Sequence, residues 1–128
     1  MDDSKSILIA DDNADFIDLL RFGLEGSGYQ ILSAADGSEA LEIFEQNRPA
    51  LVITDMNMPG LWGLSLIGAI QGIDPEFPII VVSGDSDREN LEKLLALGVR
   101  AVFTKPFDTK VLLERIDWIL EVDRTAAG

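Results

Sequence analysis

The chain contains no cysteine and no histidine. The first absence excludes disulfides and thiolate chemistry, and the second excludes an imidazole base and the usual zinc sites. Any proton transfer or metal ligation therefore falls to Asp, Glu and Lys. Positive charge is also scarce: ten Lys and Arg stand against twenty-three Asp and Glu, for a net charge of −13. No basic cluster interrupts that excess, so the chain repels polyanions, and neither direct nucleic-acid binding nor contact with anionic lipid is expected. Its apolar runs fall far short of the ~20 residues that cross a bilayer. Met1-Asp2-Asp3-Ser4 has neither the basic start nor the apolar core of a signal peptide, so a cytoplasmic protein is expected.

What is present is an apolar fraction of 47% in 128 residues, enough to bury the core of one domain and too short for a second. One domain is expected over 1–128, with its core at about 5–122 and a small polar tail at 123–128 that is either a frayed end or the start of a linker. Four short apolar runs, at 7–10, 51–54, 79–82 and 101–104, have no polar alternation, as in strands buried on both faces of a parallel sheet. A fifth, at 29–34, is broken by Gln30 and Ser33 and suits an edge.

Helical periodicity fills the intervals. A first helix is expected at 14–27, with Phe16, Leu19, Leu20 and Leu24 inward and Gly28 as the stop. Asp36 and Glu39 form a capping box for a second, which runs to Pro49. A third occupies about 64–71. Ser86 and Glu89 open a fourth, burying Leu91, Leu94 and Leu95 and ending at Gly98, and Asp108 caps a fifth that buries Leu112, Leu113, Ile116, Ile119 and Leu120. The alternation predicts an α/β fold: a flavodoxin-like, doubly wound, five-stranded parallel sheet of order 2-1-3-4-5 with five helices.

Such a sheet gathers the carboxyl ends of its strands at one edge, where ligands bind. The runs stop there on Asp11-Asp12, Asp55, Ser83 and Lys105. Three carboxylates that close repel one another, and one lysine does not balance them. A divalent cation would, and an all-oxygen donor set favours Mg²⁺ or Mn²⁺ over zinc. Each residue has a plainer reading in isolation: an Asp pair after a strand is often a helix cap, a strand-end serine a turn residue, a lone lysine a surface charge. Their convergence suggests phosphoryl transfer, with Asp55 as nucleophile, Ser83 as hydrogen-bond donor and Lys105 stabilising the transferred group.

These residues carry a resemblance to the receiver domains of two-component response regulators, covering roughly 5–122. The marks are Asp11-Asp12, Asp55-Met56-Asn57-Met58-Pro59 followed by Gly63, Ser83, Lys105-Pro106-Phe107, and their spacing. The resemblance implies that Asp55 accepts phosphate from a histidine kinase, a phosphotransfer protein or a small donor. It implies Mg²⁺ ligation by the carboxylates of Asp12 and Asp55 and the backbone carbonyl of Asn57, with Asp11 acting largely through water. Ser83 would be the switch hydroxyl, Lys105 the phosphoryl partner, and the bond to Pro106 cis. A module of this kind catalyses only its own phosphorylation and dephosphorylation and signals to a downstream effector domain or protein.

Two positions depart from the pattern. Gly84 stands where relatives commonly carry alanine, and Val102 stands where they usually place an aromatic switch residue; Phe103, one place on, is expected on the other side of its strand. Val102 has one stiff torsion, so the readout is expected to run through the loop at 84–87 and the start of the fourth helix. Three other classes fit less well. A degenerate receiver would lack Asp55 or Lys105, a haloacid-dehalogenase-like phosphatase wants Asp-x-Asp after the first strand, and a flavodoxin wants a Ser/Thr/Gly-rich loop there.

Overall fold

Every apolar run becomes a strand, and every interval a helix. The computed structural model describes residues 5–24, 26, 28–56, 63–83, 88–104 and 107–127. In chain order the elements are β1 (Ser6–Ala10), α1 (Ala14–Leu24), β2 (Gln30–Ala34), α2 (Gly37–Asn47), β3 (Leu51–Asp55), α3 (Gly63–Ile73), β4 (Ile79–Ser83), α4 (Arg88–Ala96), β5 (Ala101–Thr104) and α5 (Thr109–Ala127). The strands pair in parallel in the order β2-β1-β3-β4-β5, as expected.

Strict alternation along the buried strands feeds two cores. Leu8, Ala10, Val52, Ile79 and Val81 pack with Phe44 of α2, Leu66, Ile67 and Ile70 of α3, and Leu94 of α4. Ile7, Ile9, Leu51, Ile53, Ile80 and Val82 pack with Leu20 and Leu24 of α1 and with Leu112, Ile116, Ile119 and Leu120 of α5. Val102 joins the first core and Phe103 the second, so the aromatic does lie on the opposite side of β5 from Val102.

Some details differ from expectation. Leu19 is 49% exposed and Leu95 52% exposed; each sits one residue from a buried Leu20 or Leu94, and one residue is about 100° around a helix, enough to leave the inward stripe. Strands β3 and β4 extend one residue further than expected, because Asp55 and Ser83 still pair, with Val82 and Thr104 respectively. Helix α5 runs to Ala127, so residues 123–127, expected as a frayed end or the start of a linker, are helical; they contain no Gly or Pro to stop the helix. Helix α1 is described to Leu24, and its expected end, Ser27, lies outside the described residues, as does Ser86 of the α4 capping box. Gly28 and Gly98 both take positive φ, +82° and +91°, which a side chain would disfavour, at the two helix exits where glycine was read as a stop.

The α2 capping box forms. The Asp36 carboxylate accepts from the Glu39 N–H at 2.8 Å, and the Glu39 carboxylate accepts from the Ala35 N–H at 2.8 Å. Replacing Asp36 with Ala is expected to cost about 1 kcal/mol, read as a lower urea midpoint at unchanged slope; an unchanged midpoint would show the cap to be dispensable.

Candidate functional site

The carboxyl ends of β1 and β3 are adjacent because Ala10 pairs with Thr54, which sets Asp11 and Asp55 side by side one residue on. Backbone bonding fixes the first of them: the Asp11 N–H donates to the Ala34 carbonyl at 3.0 Å, continuing the β1–β2 ladder past its last strand residue. The Asp11 carboxylate then accepts from the Asn13 N–H at 2.9 Å. Asn13 in turn caps α1, its side-chain oxygen accepting from the N–H groups of Asp15 at 3.0 Å and Phe16 at 3.3 Å. The cap is thus supplied by the residue after the Asp pair, leaving Asp12 exposed at the mouth of the site. Sequence reasoning missed Asn13, although Asn directly before Ala14-Asp15 is an ordinary N-cap signal.

Asp11 and Asp55 are buried, at 1% and 8% exposure. One carboxylate oxygen from each of Asp11, Asp12 and Asp55 lies within 4.8 Å of the others. The acidic cluster expected from strand order is therefore assembled, by two strand ends and the turn after β1. Its donors are all carboxylate oxygens, which fits a hard divalent cation and not a soft one. Ser83, 5% exposed, ends β4 next to β3, and its strand partner is Thr104, the residue before Lys105. Asn57, Gly84, Lys105 and Pro106 lie outside the described residues.

Three aromatic rings flank this edge on the α1/α5 side. Phe107 sits 6.0 Å from Phe16 edge-on and 5.5 Å from Phe103 at a tilt of 57°. No periodicity announces this cluster: Phe103 and Phe107 lie on β5 and in the segment before α5, and Phe16, far from both in the chain, comes from α1.

A fold of this order, with acidic groups at the carboxyl ends of β1 and β3, defines a class, and the comparisons agree. The family model for the response regulator receiver domain matches residues 7–117. The chain belongs to that family: it is a receiver domain of the two-component response regulators. It is 34% identical over 117 residues to the transcriptional regulatory protein PrrA of Mycobacterium tuberculosis, covering 91% of this chain and 50% of that one. Against sporulation initiation phosphotransferase F of Bacillus subtilis it is 33% identical over 105 residues, covering 82% and 85%. Among solved structures, a CheY-like receiver domain protein from Methanospirillum hungatei superposes with a TM-score of 0.88 at 30% identity, covering 98% and 99%. The chain spans about half the length of several curated transcriptional regulators that it matches. Among the described residues, no helix is long and apolar enough to cross a membrane.

Proposed function

We propose that the chain accepts a phosphoryl group on the Asp55 carboxylate and relays that event as a change in a protein-interaction surface. The observation that carries this reading is the set of Asp11, Asp12 and Asp55 oxygens within 4.8 Å of one another at the end of the central strand. In the transfer, an Asp55 oxygen forms the new bond to phosphorus while the bond to the donor's nitrogen or oxygen breaks, and the electron pair leaves with the donor. Asp12, Asp55 and the Asn57 backbone carbonyl would hold Mg²⁺, or Mn²⁺ in its place, with Asp11 acting through water. The cation, when bound, offsets negative charge on the transferred oxygens. Ser83 donates a hydrogen bond to the phosphoryl group, and Lys105 pairs with it.

The chain acts on itself and on no separate substrate. Its donor would be a histidine kinase, a phosphotransfer protein or a small acyl phosphate, its setting the cytoplasm, and its output a downstream effector domain or protein. Residues 1–128 would form one receiver domain with its core at about 5–122.

Incubation with acetyl phosphate and Mg²⁺ tests the reading. One base-labile phosphoryl group per chain is expected by intact-protein mass spectrometry, and none when EDTA replaces Mg²⁺. A chain that stays unlabelled with Mg²⁺ present, or labels equally in EDTA, would overturn it.

A further inference from the structure

Phe103 leaves β5 on the α1/α5 side of the sheet, packed against the core that holds Leu20 and Leu112. Its ring meets Phe107 at 5.5 Å, so the residues on either side of Thr104-Lys105-Pro106 in the chain are held ring to ring. Phe107 also meets Phe16, on the first turn of α1, at 6.0 Å and 85°. Both distances fall within the range of about 4.5–7 Å in which tilted and edge-on rings attract. From Phe16 the contacts continue in short steps: its N–H donates to the Asn13 side chain at 3.3 Å, and the Asn13 N–H donates to the Asp11 carboxylate at 2.9 Å. A continuous series of contacts therefore runs from β5 to the buried acid of the site.

We propose that Phe103 is a positioning residue, which through Phe107 and Phe16 sets the acidic turn after β1 and the chain on either side of Lys105 relative to each other. The proposal rests on the strand-end site described above and adds to it a residue that touches neither cation nor phosphoryl group. A ring at 103 braces both banks of the site. A smaller side chain there loosens the Phe107 ring, then the first turn of α1, and with it the Asn13 hold on Asp11. The consequence is a less organised carboxylate set and a less well aimed transfer.

Calorimetric titration of Mg²⁺ into the wild type, Phe103→Leu, Phe16→Leu and the double variant provides the test, with folding checked by circular dichroism. Each single change is expected to weaken Mg²⁺ affinity by about tenfold, the scale typical of outer-shell supports. The double variant should be little weaker than the poorer single one, since both act through Phe107. Phe103→Tyr keeps the ring and should bind Mg²⁺ as the wild type does.

At saturating Mg²⁺ the labelling rate from acetyl phosphate should also fall about tenfold in Phe103→Leu, because small misplacements at a reacting centre are costly. A purely structural role would lower the melting temperature and leave Mg²⁺ affinity untouched; that result, or additive losses in the double variant, would overturn the proposal. Should Phe103→Leu fail to fold, Phe16→Leu carries the same expectation by itself. A wild type that binds Mg²⁺ but takes no label would defeat the acceptor reading, and the Mg²⁺ affinities would still decide this one.

Discussion

Asp55→Asn is expected to take no phosphoryl group under conditions in which the wild type takes one. The carboxamide has nearly the shape of the carboxylate it replaces but lacks the anionic oxygen that attacks phosphorus. Asp55 is 8% exposed and pairs with Val82 through its backbone, so the substitution keeps both volume and ladder. Loss of labelling would therefore report chemistry and not unfolding. Equal circular dichroism spectra and a melting temperature at or above that of the wild type should accompany it, since one of three clustered negative charges is gone. Intact-protein mass spectrometry after acetyl phosphate and Mg²⁺ gives the answer. Labelling that persists would move the acceptor to Asp11 or Asp12.

Much of the fold was legible because burial on both faces leaves an unambiguous mark. Ile79–Ser83 reads as a strand for the same reason that it is one: no residue in it tolerates water well except the last. The helices were legible in existence and type but not in every facing residue. Leu19 and Leu95 are apolar and exposed, and nothing in their identity distinguishes them from Leu20 and Leu94. Which of two adjacent leucines points inward depends on how the helix is rotated against the sheet, since neighbouring residues stand about 100° apart around the axis. The start of α1 is set by Asn13, but Asp11, Asp12 and Asn13 are consecutive residues of good N-cap type, and residue identity does not say which of the three takes that position.

The site was legible to the extent that topology alone assembles it. Parallel strands in the order 2-1-3-4-5 bring Asp11 beside Asp55, and Ser83 ends the next strand over, without any help from side-chain contacts. What could not be read is the support. Phe103 and Phe107 are four residues apart, but Phe16 is distant from both in sequence and joins them only because the end of β5, the segment before α5 and the first turn of α1 meet at one corner. The displaced aromatic at 103 is visible in the sequence as a departure, whereas its partners are visible only in three dimensions.

Asp12→Ala is expected to reverse sign with Mg²⁺: more stable than the wild type in EDTA, less stable in excess Mg²⁺. Asp12 is exposed and its carboxylate lies within 4.8 Å of those of Asp11 and Asp55. Two like charges at such a distance repel by about 1 kcal/mol when one of them faces water, where solvent screens most of the interaction. Removing Asp12 should relieve that repulsion and raise the melting temperature in EDTA by roughly 3–5 °C for a chain of this size. Adding Mg²⁺ at a hundred times its dissociation constant should stabilise the wild type by about 2.7 kcal/mol, because the ion binds the folded state. The variant, lacking one of the ligating carboxylates, should gain little. Its advantage of about 1 kcal/mol in EDTA thus becomes a deficit in Mg²⁺, and the two melting curves exchange order. Thermal unfolding of both proteins in EDTA and in a Mg²⁺ series measures this directly. A structural role for Asp12 would lower stability in both buffers, and an equal gain from Mg²⁺ in both proteins would remove Asp12 from the ligand set.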